Sequence, residues 1–332
     1  MSACEVIRRR TGYAVPEGYG LATHVDLLLR GQVPKERYYL STVMDWIALR
    51  LCGLTRPVTH ITNAASLGLY RSAKRDFDPE ALRTLGIDPD SLPLVTAEPL
   101  VLGKFRGIPV TAAIGDNQAA FIGSVWGGEG DPSETALVNI GTGSQISVLS
   151  DEPARDSSGL IESRPFDGKR VLLSGSGLCG GRAYALLESF FRRYAAACGF
   201  PADSPDGRRY EVLNSLAEEG WRSGNVLSVR TAFCGTRADP SLRGEITGIG
   251  EGNLTPEALA AGVLCGIADE LCGMYRLMPA ARVKNLIASG NAVRKNPVLR
   301  EILSERFGMP VRVPEHTEEA ACGAAVFAAE SR

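Results

Sequence analysis

Apolar residues recur at helical spacing in several stretches of this chain, bunch into short β-branched runs in others, and the two patterns alternate. Thr42 to Leu51 reads as a helix, with Val43, Ile47 and Leu51 on one face and Gly53 as its stop. Ile108 to Ile114 is apolar and β-branched, which predicts a buried strand running into Gly115-Asp116-Asn117-Gln118, with a helix over Ala119 to Val125. Ala136 to Ile140 and Gln145 to Leu149 predict two strands joined as a hairpin by Gly141-Thr142-Gly143-Ser144. Val171 to Leu173 predicts another strand, followed by a glycine-rich loop. Ala183, Leu186, Leu187, Phe190, Phe191 and Tyr194 then repeat as a helix would, until Gly199. Thr255-Pro256 opens a long helix with a cap and a proline at its first position, and Asn285 to Ala288 reads as a strand. Asn296-Pro297 caps a helix that ends at Gly308. Thr317 caps a last helix built of small residues, Ala320, Ala321, Gly323, Ala324 and Ala325. Between Asp76 and Pro99, prolines and acidic turn residues surround one short helix, which reads as surface structure. Alternating strands and helices place the chain in the α/β class.

The acidic, glycine-rich stretch from Trp126 to Asp131, with Pro132 behind it, marks a boundary between a first domain, 1–126, and a second, 127–332. A chain of 332 residues has room for two cores. Lys and Arg number 36 against 38 Asp and Glu, a formal charge of −2 that favours neither nucleic acid nor an anionic membrane as partner. The eight cysteines are scattered without zinc-site spacing and read as reduced thiols of a cytoplasmic protein. The amino-terminal residues lack the apolar core of a signal peptide, and the small-apolar stretch Ala258 to Ala268, interrupted by two glycines, is shorter than a membrane span.

Four segments carry candidate chemistry, each with a plainer reading beside it. Gly175 to Gly180 fits the dinucleotide pattern GxGxxG, but the region about 20 residues on reads as a loop without the expected acidic strand end. Tight strand-to-helix packing therefore explains those glycines better. No phosphate loop ending in Gly-Lys-Ser or Gly-Lys-Thr is present, and histidines at 24, 60 and 316 give a histidine-based hydrolase no support. Asp116 would sit at the lip of a parallel sheet, where a carboxylate can take a proton from a substrate hydroxyl; taken alone, it reads as a helix N-cap. Asn117 offers both a donor and an acceptor to polyol hydroxyls. Gly141-Thr142-Gly143 would let backbone amides and a threonine hydroxyl face phosphate oxygens, or else form an ordinary hairpin turn. Ser289-Gly290-Asn291-Ala292, between a strand and a helix, would leave a flat surface for a purine, or is a plain strand-to-helix turn.

Together and in this order, these segments resemble the FGGY carbohydrate kinases over essentially the whole chain. Gly115 to Ala120 is similar to the family's catalytic-aspartate segment and Asn139 to Ser144 to its second phosphate loop. Ala288 to Ala292 resembles its adenosine loop, and Glu318 to Ala325 the small-residue helix that closes the nucleotide lobe. The resemblance implies an actin-like ATPase, ribonuclease-H-like fold of two lobes that close over a sugar and ATP with Mg²⁺. It implies Asp116 as general base, Asn117 and Tyr19 as sugar contacts, Gly141, Thr142 and Gly143 at the phosphates, and Ser289, Gly290 and Asn291 around adenine. Gly18 to Thr23, Leu51 to Pro57, Asn63 to Ser66 and Leu178 to Tyr184 point within the family to sedoheptulose as acceptor, with xylulose, ribulose or glycerol as alternatives. The family's leading strand and Asp-x-Gly-Thr loop have no counterpart in this sequence, so the expectation is an incomplete first lobe. A nucleotide-binding remnant without transfer activity is the competing expectation.

Overall fold

Side-chain caps fix where several of the helices start. Ser2 opens α1 (Ala3–Thr11) through a reciprocal capping box with Glu5, and Gly12, in the left-handed region, ends it. The computed structural model describes residues 2–126, 131–156, 158–200, 206–279, 282–315 and 317–331, so 127–130 of the expected boundary lie outside the described residues. By contact the chain divides into two units. The first is Met1–Trp126 with Arg164–Val171 and Glu318–Arg332; the second is Gly127–Ser163 with Leu172–Thr317.

In the first unit α1 is followed by α2 (Gly20–Leu29), α3 (Val43–Cys52), β1 (Val58–His60), α4 (Ile61–Leu67), β2 (Tyr70–Arg71), β3 (Asp76–Phe77) and α5 (Pro79–Thr84). Then come β4 (Leu94–Thr96), β5 (Val101–Phe105), β6 (Ile108–Thr111) and α6 (Asp116–Val125). The strands pair in twos, β1 with β4 in parallel, β2 with β3 and β5 with β6 antiparallel. Ile7, Leu21, Val25 and Leu69 form the main core together with Phe77, Leu82, Ile87 and Leu92. The 76–99 segment is therefore more than the surface structure expected. Its elements are too short to show a period, yet Phe77, Ala81, Leu82, Leu85, Ile87 and Leu92 turn inward between polar caps such as Asp78 and Asp88.

Two further expectations change in this unit. The strand expected over 108–114 stops at Thr111, pairs with β5 in an outer ribbon and leaves Ile108 68% exposed. Asp116 thus follows an antiparallel ribbon in the chain, and only Ala112 and Ile114 of the expected strand turn inward. Helix α3 has the expected Gly53 stop, with Thr42 as its cap where the helix was expected to begin, but it points Val43, Ile47 and Leu51 outward and buries Asp45 and Ala48. Apolar periodicity identifies a shared face without saying what that face meets.

The second unit contains β7 (Thr135–Ile140), β8 (Ser144–Ser150), most of β9 (Ile161–Pro165) and of β10 (Val171–Gly177), α7 (Gly181–Ala197), α8 (Asp206–Ser223), β11 (Ser228–Arg230) and β12 (Glu245–Thr247). It continues with α9 (Pro256–Arg276), β13 (Asn285–Ser289), α10 (Asn291–Lys295), α11 (Pro297–Phe307) and β14 (Val311–Arg312). Six strands form one mixed sheet in the order β14-β13-β7-β8-β10-β9, with β13 parallel to both β14 and β7, and β7 antiparallel to β8. Thr255 and Asn296 cap α9 and α11 as the sequence predicts. Helix α9 is the one described helix long and apolar enough to cross a membrane, and 72% of its most apolar window is buried inside the protein. Its two interrupting glycines have a structural reason: a Cβ at Gly262 or Gly266 would strike the carbonyl of Leu227 or Val229.

The last helix, α12 (Glu319–Ala329), was expected with residues 127–332 and packs in the first unit, across α6. A Cβ on Gly123 would collide with the Glu319 carbonyl, and one on Gly323 with that of Ala119. The two helices therefore touch backbone to backbone, which explains why α12 is made of small residues. Its N-cap is Glu318, without a side-chain cap bond, and not Thr317.

Candidate active site

In the first unit Asp116 is the first residue of α6, and Gly115, not Asp116, holds the N-cap position. The Asp116 side chain is exposed, and its Oδ1 accepts from the N–H of Asn117 at 2.7 Å, so it is not capping the helix. Below it lies a buried polar layer supplied by β1 and α4. Gly115 N–H donates to Thr62 Oγ1 at 2.8 Å, and Thr62 Oγ1 is 2.9 Å from His60 Nδ1. His60 Nε2 stands 3.2 Å from the carbonyl of Ala97. A carbonyl only accepts, so Nε2 carries the proton, Nδ1 accepts from the Thr62 hydroxyl, and the ring is neutral. Burial agrees with this, holding the His60 pKa down at about 4. Asn63 Nδ2 donates to Ala113 O at 2.8 Å, and Gln118 Nε2 to Pro165 O at 2.7 Å. The backbone on both sides of Asp116 is thereby fixed by side chains the sequence reading did not single out for this task. The signal available was a run of polar residues, His60, Thr62 and Asn63, among the apolar ones of a short strand and helix.

Asn117 adjoins Asp116 by sequence. Tyr19 is the N-cap of α2 and packs against the core of Leu21 and Val25, whereas α6 rests on a separate cluster of Ile114, Ala119 and Phe327.

In the second unit the two glycine stretches come together. Strands β13 and β7 are parallel neighbours with Ser289 opposite Asn139, and Asn139 Nδ2 donates to Ser289 Oγ at 3.0 Å. Their carboxyl ends lead into Gly290-Asn291 and into the Gly141-Thr142-Gly143 turn, the edge at which α/β sheets bind ligands. Gly290 has φ +93°, and a Cβ there would strike the Ile140 carbonyl, so only glycine lets the two turns approach. Gly141 and Thr142 are exposed, with open space where a Gly141 side chain would lie.

The start of α7 holds this turn in place. Gly181 N–H donates to Gly141 O at 2.8 Å and Arg182 N–H to Thr142 O at 3.1 Å. A Cβ on Gly180 would collide with Gly143. Gly175 and Gly177 belong to β10 itself, against Met274, Ser144 and Glu270. The GxGxxG pattern is thus a packing device, as its lack of an acidic partner predicted. Behind the turn, the Ser144 hydroxyl is buried without a hydrogen-bond partner. Glu270 accepts from Thr231 Oγ1 at 3.4 Å, and burial pushes its carboxyl up from the usual range. Glu270 was missed in the sequence, where its mark is a carboxylate within the apolar run of α9.

Known proteins resemble the chain along nearly its whole length. Residues 136–331 match the model of the C-terminal domain of the FGGY family of carbohydrate kinases. A glycerol kinase of Clostridium tetani is 29% identical over 98% of the chain and 65% of its own length. Human sedoheptulokinase is 25% identical over 94% of the chain and 67% of its own. The crystal structure of a xylulose kinase from Rhodospirillum rubrum superposes with a TM-score of 0.80 at 20% identity, covering 98% of the chain and 66% of that protein. The chain thus spans about two thirds of the length of these relatives, 65% for the Clostridium tetani kinase. Its α/β fold is the actin-like fold of these kinases. The order of its two glycine turns, the small-residue helix and the matched domain lead to one assignment: the chain belongs to the FGGY family of carbohydrate kinases.

Proposed function

We propose that this chain transfers the γ-phosphoryl group of Mg-ATP to a ketose hydroxyl, that of sedoheptulose at carbon 7, with Asp116 as general base. The observation that carries the reading is the meeting of the Gly141–Gly143 and Ser289–Asn291 turns at the ends of adjacent parallel strands. Phosphates fit there: Gly141 faces open space, Thr142 is exposed, and Gly290 has no side chain to block approach. Ser289, Gly290 and Asn291 would flank adenine. Among the described residues no three His, Cys, Asp or Glu side chains form a metal cage. Mg²⁺ characteristically needs only one or two carboxylates besides substrate phosphates, so it would arrive with the nucleotide and neutralise phosphate charge.

Phosphoryl transfer asks the protein chiefly for alignment and charge neutralisation. An exposed Asp116 on a fixed backbone supports a base that takes the hydroxyl proton, with Asn117 and Tyr19 on the sugar. A cytoplasmic location suits its eight free thiols. Glycerol is the second reading for the acceptor, favoured by the 29% identity to the Clostridium tetani glycerol kinase. The test is ADP release with Mg-ATP and a panel of sedoheptulose, xylulose, ribulose and glycerol. Sedoheptulose-dependent release that falls on the order of 10²–10⁴-fold in Asp116→Ala, with nucleotide binding retained, is expected. Equal turnover in the variant would remove Asp116 as base, and nucleotide binding without release from any acceptor would leave a binding remnant.

A further inference from the structure

Three side chains outside the roles assigned above meet beside the start of α7. Cys179 precedes Gly180, and its thiol is buried, 1% exposed. Cys234, partly exposed, lies in the loop after β11, and its sulfur is 3.8 Å from that of Cys179. Arg182 Nη1 donates to Cys234 Sγ at 3.6 Å. As a thiol, Cys234 donates to Cys179 Sγ while its own sulfur accepts from the guanidinium; once Cys234 has lost its proton, only the Cys179 S–H can donate across the pair. Cys265 and Cys272 also have arginines beside them, Arg306 and Arg276, but both thiols are buried and burial pushes them up.

We propose that Cys234 and Cys179 form a peroxide-sensing dithiol, in which the exposed sulfur is oxidised first and the buried one closes a reversible disulfide. The Arg182 contact, with the Cys179 thiol and the Arg243 charge adding to it, lowers the Cys234 pKa, whereas burial pushes Cys179 up to about 12. The thiolate is the nucleophile, so attack begins at Cys234. Its sulfur attacks hydrogen peroxide, the O–O bond breaks, and sulfenic acid forms with loss of one water. The Cys179 sulfur then displaces the sulfenic oxygen as a second water, using its own proton. Two thiols are oxidised by two electrons and one peroxide is reduced to two waters.

The sulfurs must close from 3.8 Å to the ~2.0 Å of a disulfide. Cys179 is two residues from Gly181, whose N–H holds the Gly141 carbonyl, so closure pulls on the glycine turn. If that turn binds the nucleotide, as proposed above, the oxidised chain binds Mg-ATP several-fold more weakly, and dithiothreitol restores it.

The experiment treats the reduced full chain with one equivalent of hydrogen peroxide, alkylates it, and maps peptides without reduction by mass spectrometry. A Cys179–Cys234 cross-link is expected, absent in Cys234→Ser. Cys179→Ser should retain a sulfenic acid at Cys234 that dimedone traps, and Arg182→Gln should slow the reaction. Oxidation of the exposed Cys198 ahead of Cys234, or sulfinic acid at Cys234 with Cys179 still reduced, would overturn the proposal. Failure of the reduced chain to bind Mg-ATP would sink the nucleotide reading alone, because the cross-link is read without nucleotide.

Discussion

The Thr62 hydroxyl accepts the N–H of Gly115 at 2.8 Å, and this one bond sets where α6 begins and hence where Asp116 stands. The same hydroxyl donates to His60 Nδ1, so a threonine, a neutral histidine and a backbone amide satisfy one another inside the protein. A side chain at position 115 would press on Gln118 Oε1 at 2.8 Å and on the Thr62 Cβ at 3.3 Å, which accounts for the glycine.

Thr62→Val keeps the shape and removes the hydroxyl. It leaves the Gly115 N–H buried and unpaired, at a cost of about 1–3 kcal/mol, and His60 Nδ1 with only the long 3.5 Å bond from the backbone N–H of residue 62. Thr62→Ser keeps the hydroxyl and should retain most of that stability. Urea unfolding of the two variants checks this; equal midpoints for Val and Ser would show that the hydroxyl does not hold the site.

His60 gives a pH dependence with a definite sign. Its folded pKa is about 4, below the ordinary 6.5, so between those values the unfolded chain binds a proton that the folded chain refuses. The stabilisation is present above pH 6.5 and is lost as pH falls to 4. A difference near 2.5 units amounts to about 3 kcal/mol. Urea midpoints from pH 7 to pH 4 should fall accordingly, and the His60 imidazole should stay neutral at pH 5 by NMR. A titration midpoint near 6.5 would contradict the buried, neutral ring.

How far the sequence carries can be read from particular elements. The caps Thr255 and Asn296, the Gly53 stop and the hairpin at 141–144 were legible, because each depends on local chemistry that neighbours do not alter. The closeness of the Gly141 and Gly290 turns was legible only through the family, since 149 residues separate them along the chain. Faces were the weak point. Leu186, Phe190 and Tyr194 share the predicted stripe of α7 and are 48%, 60% and 70% exposed. Ile108 reads as core and sits on an open ribbon. A period fixes which residues point together; what they meet depends on partners far along the chain. The polar layer of His60, Thr62 and Asn63 was hidden for the same reason, because its meaning comes from Ala97, Ala113 and Gly115.

The crossing of α6 and α12 makes Gly323 a sensitive position. Valine there would drive its Cβ and methyl groups into the Ala119 carbonyl, and no side chain can swing aside to relieve a backbone contact. Overpacking of this kind typically costs 1–3 kcal/mol, and here it also shifts the helix that begins with Asp116. Gly323→Ala should be disruptive as well, unlike Ala324→Val on the same helix, where the pattern is partly exposed. Thermal unfolding of the three variants checks the ranking.

Two glycines of the facing turns separate a structural role from a binding one. Gly290 combines φ +93° with ψ 158°, a region that residues with a Cβ essentially do not occupy, and its Cβ would strike the Ile140 carbonyl. Gly290→Ala should therefore lower stability by about 1–3 kcal/mol and disturb Asn291 with it. Gly141 has neither constraint: its φ is outside the left-handed range, and nothing lies within 4 Å of a Cβ placed there. Gly141→Ala should leave stability within about 0.5 kcal/mol of the parent, as a surface change does. If the turn holds phosphates, that same methyl occupies the space they need, and Mg-ATP affinity measured by calorimetry should fall at least several-fold. A Gly141→Ala chain with parental stability and parental affinity would place the phosphates elsewhere, because the methyl would then lie in space the nucleotide never enters.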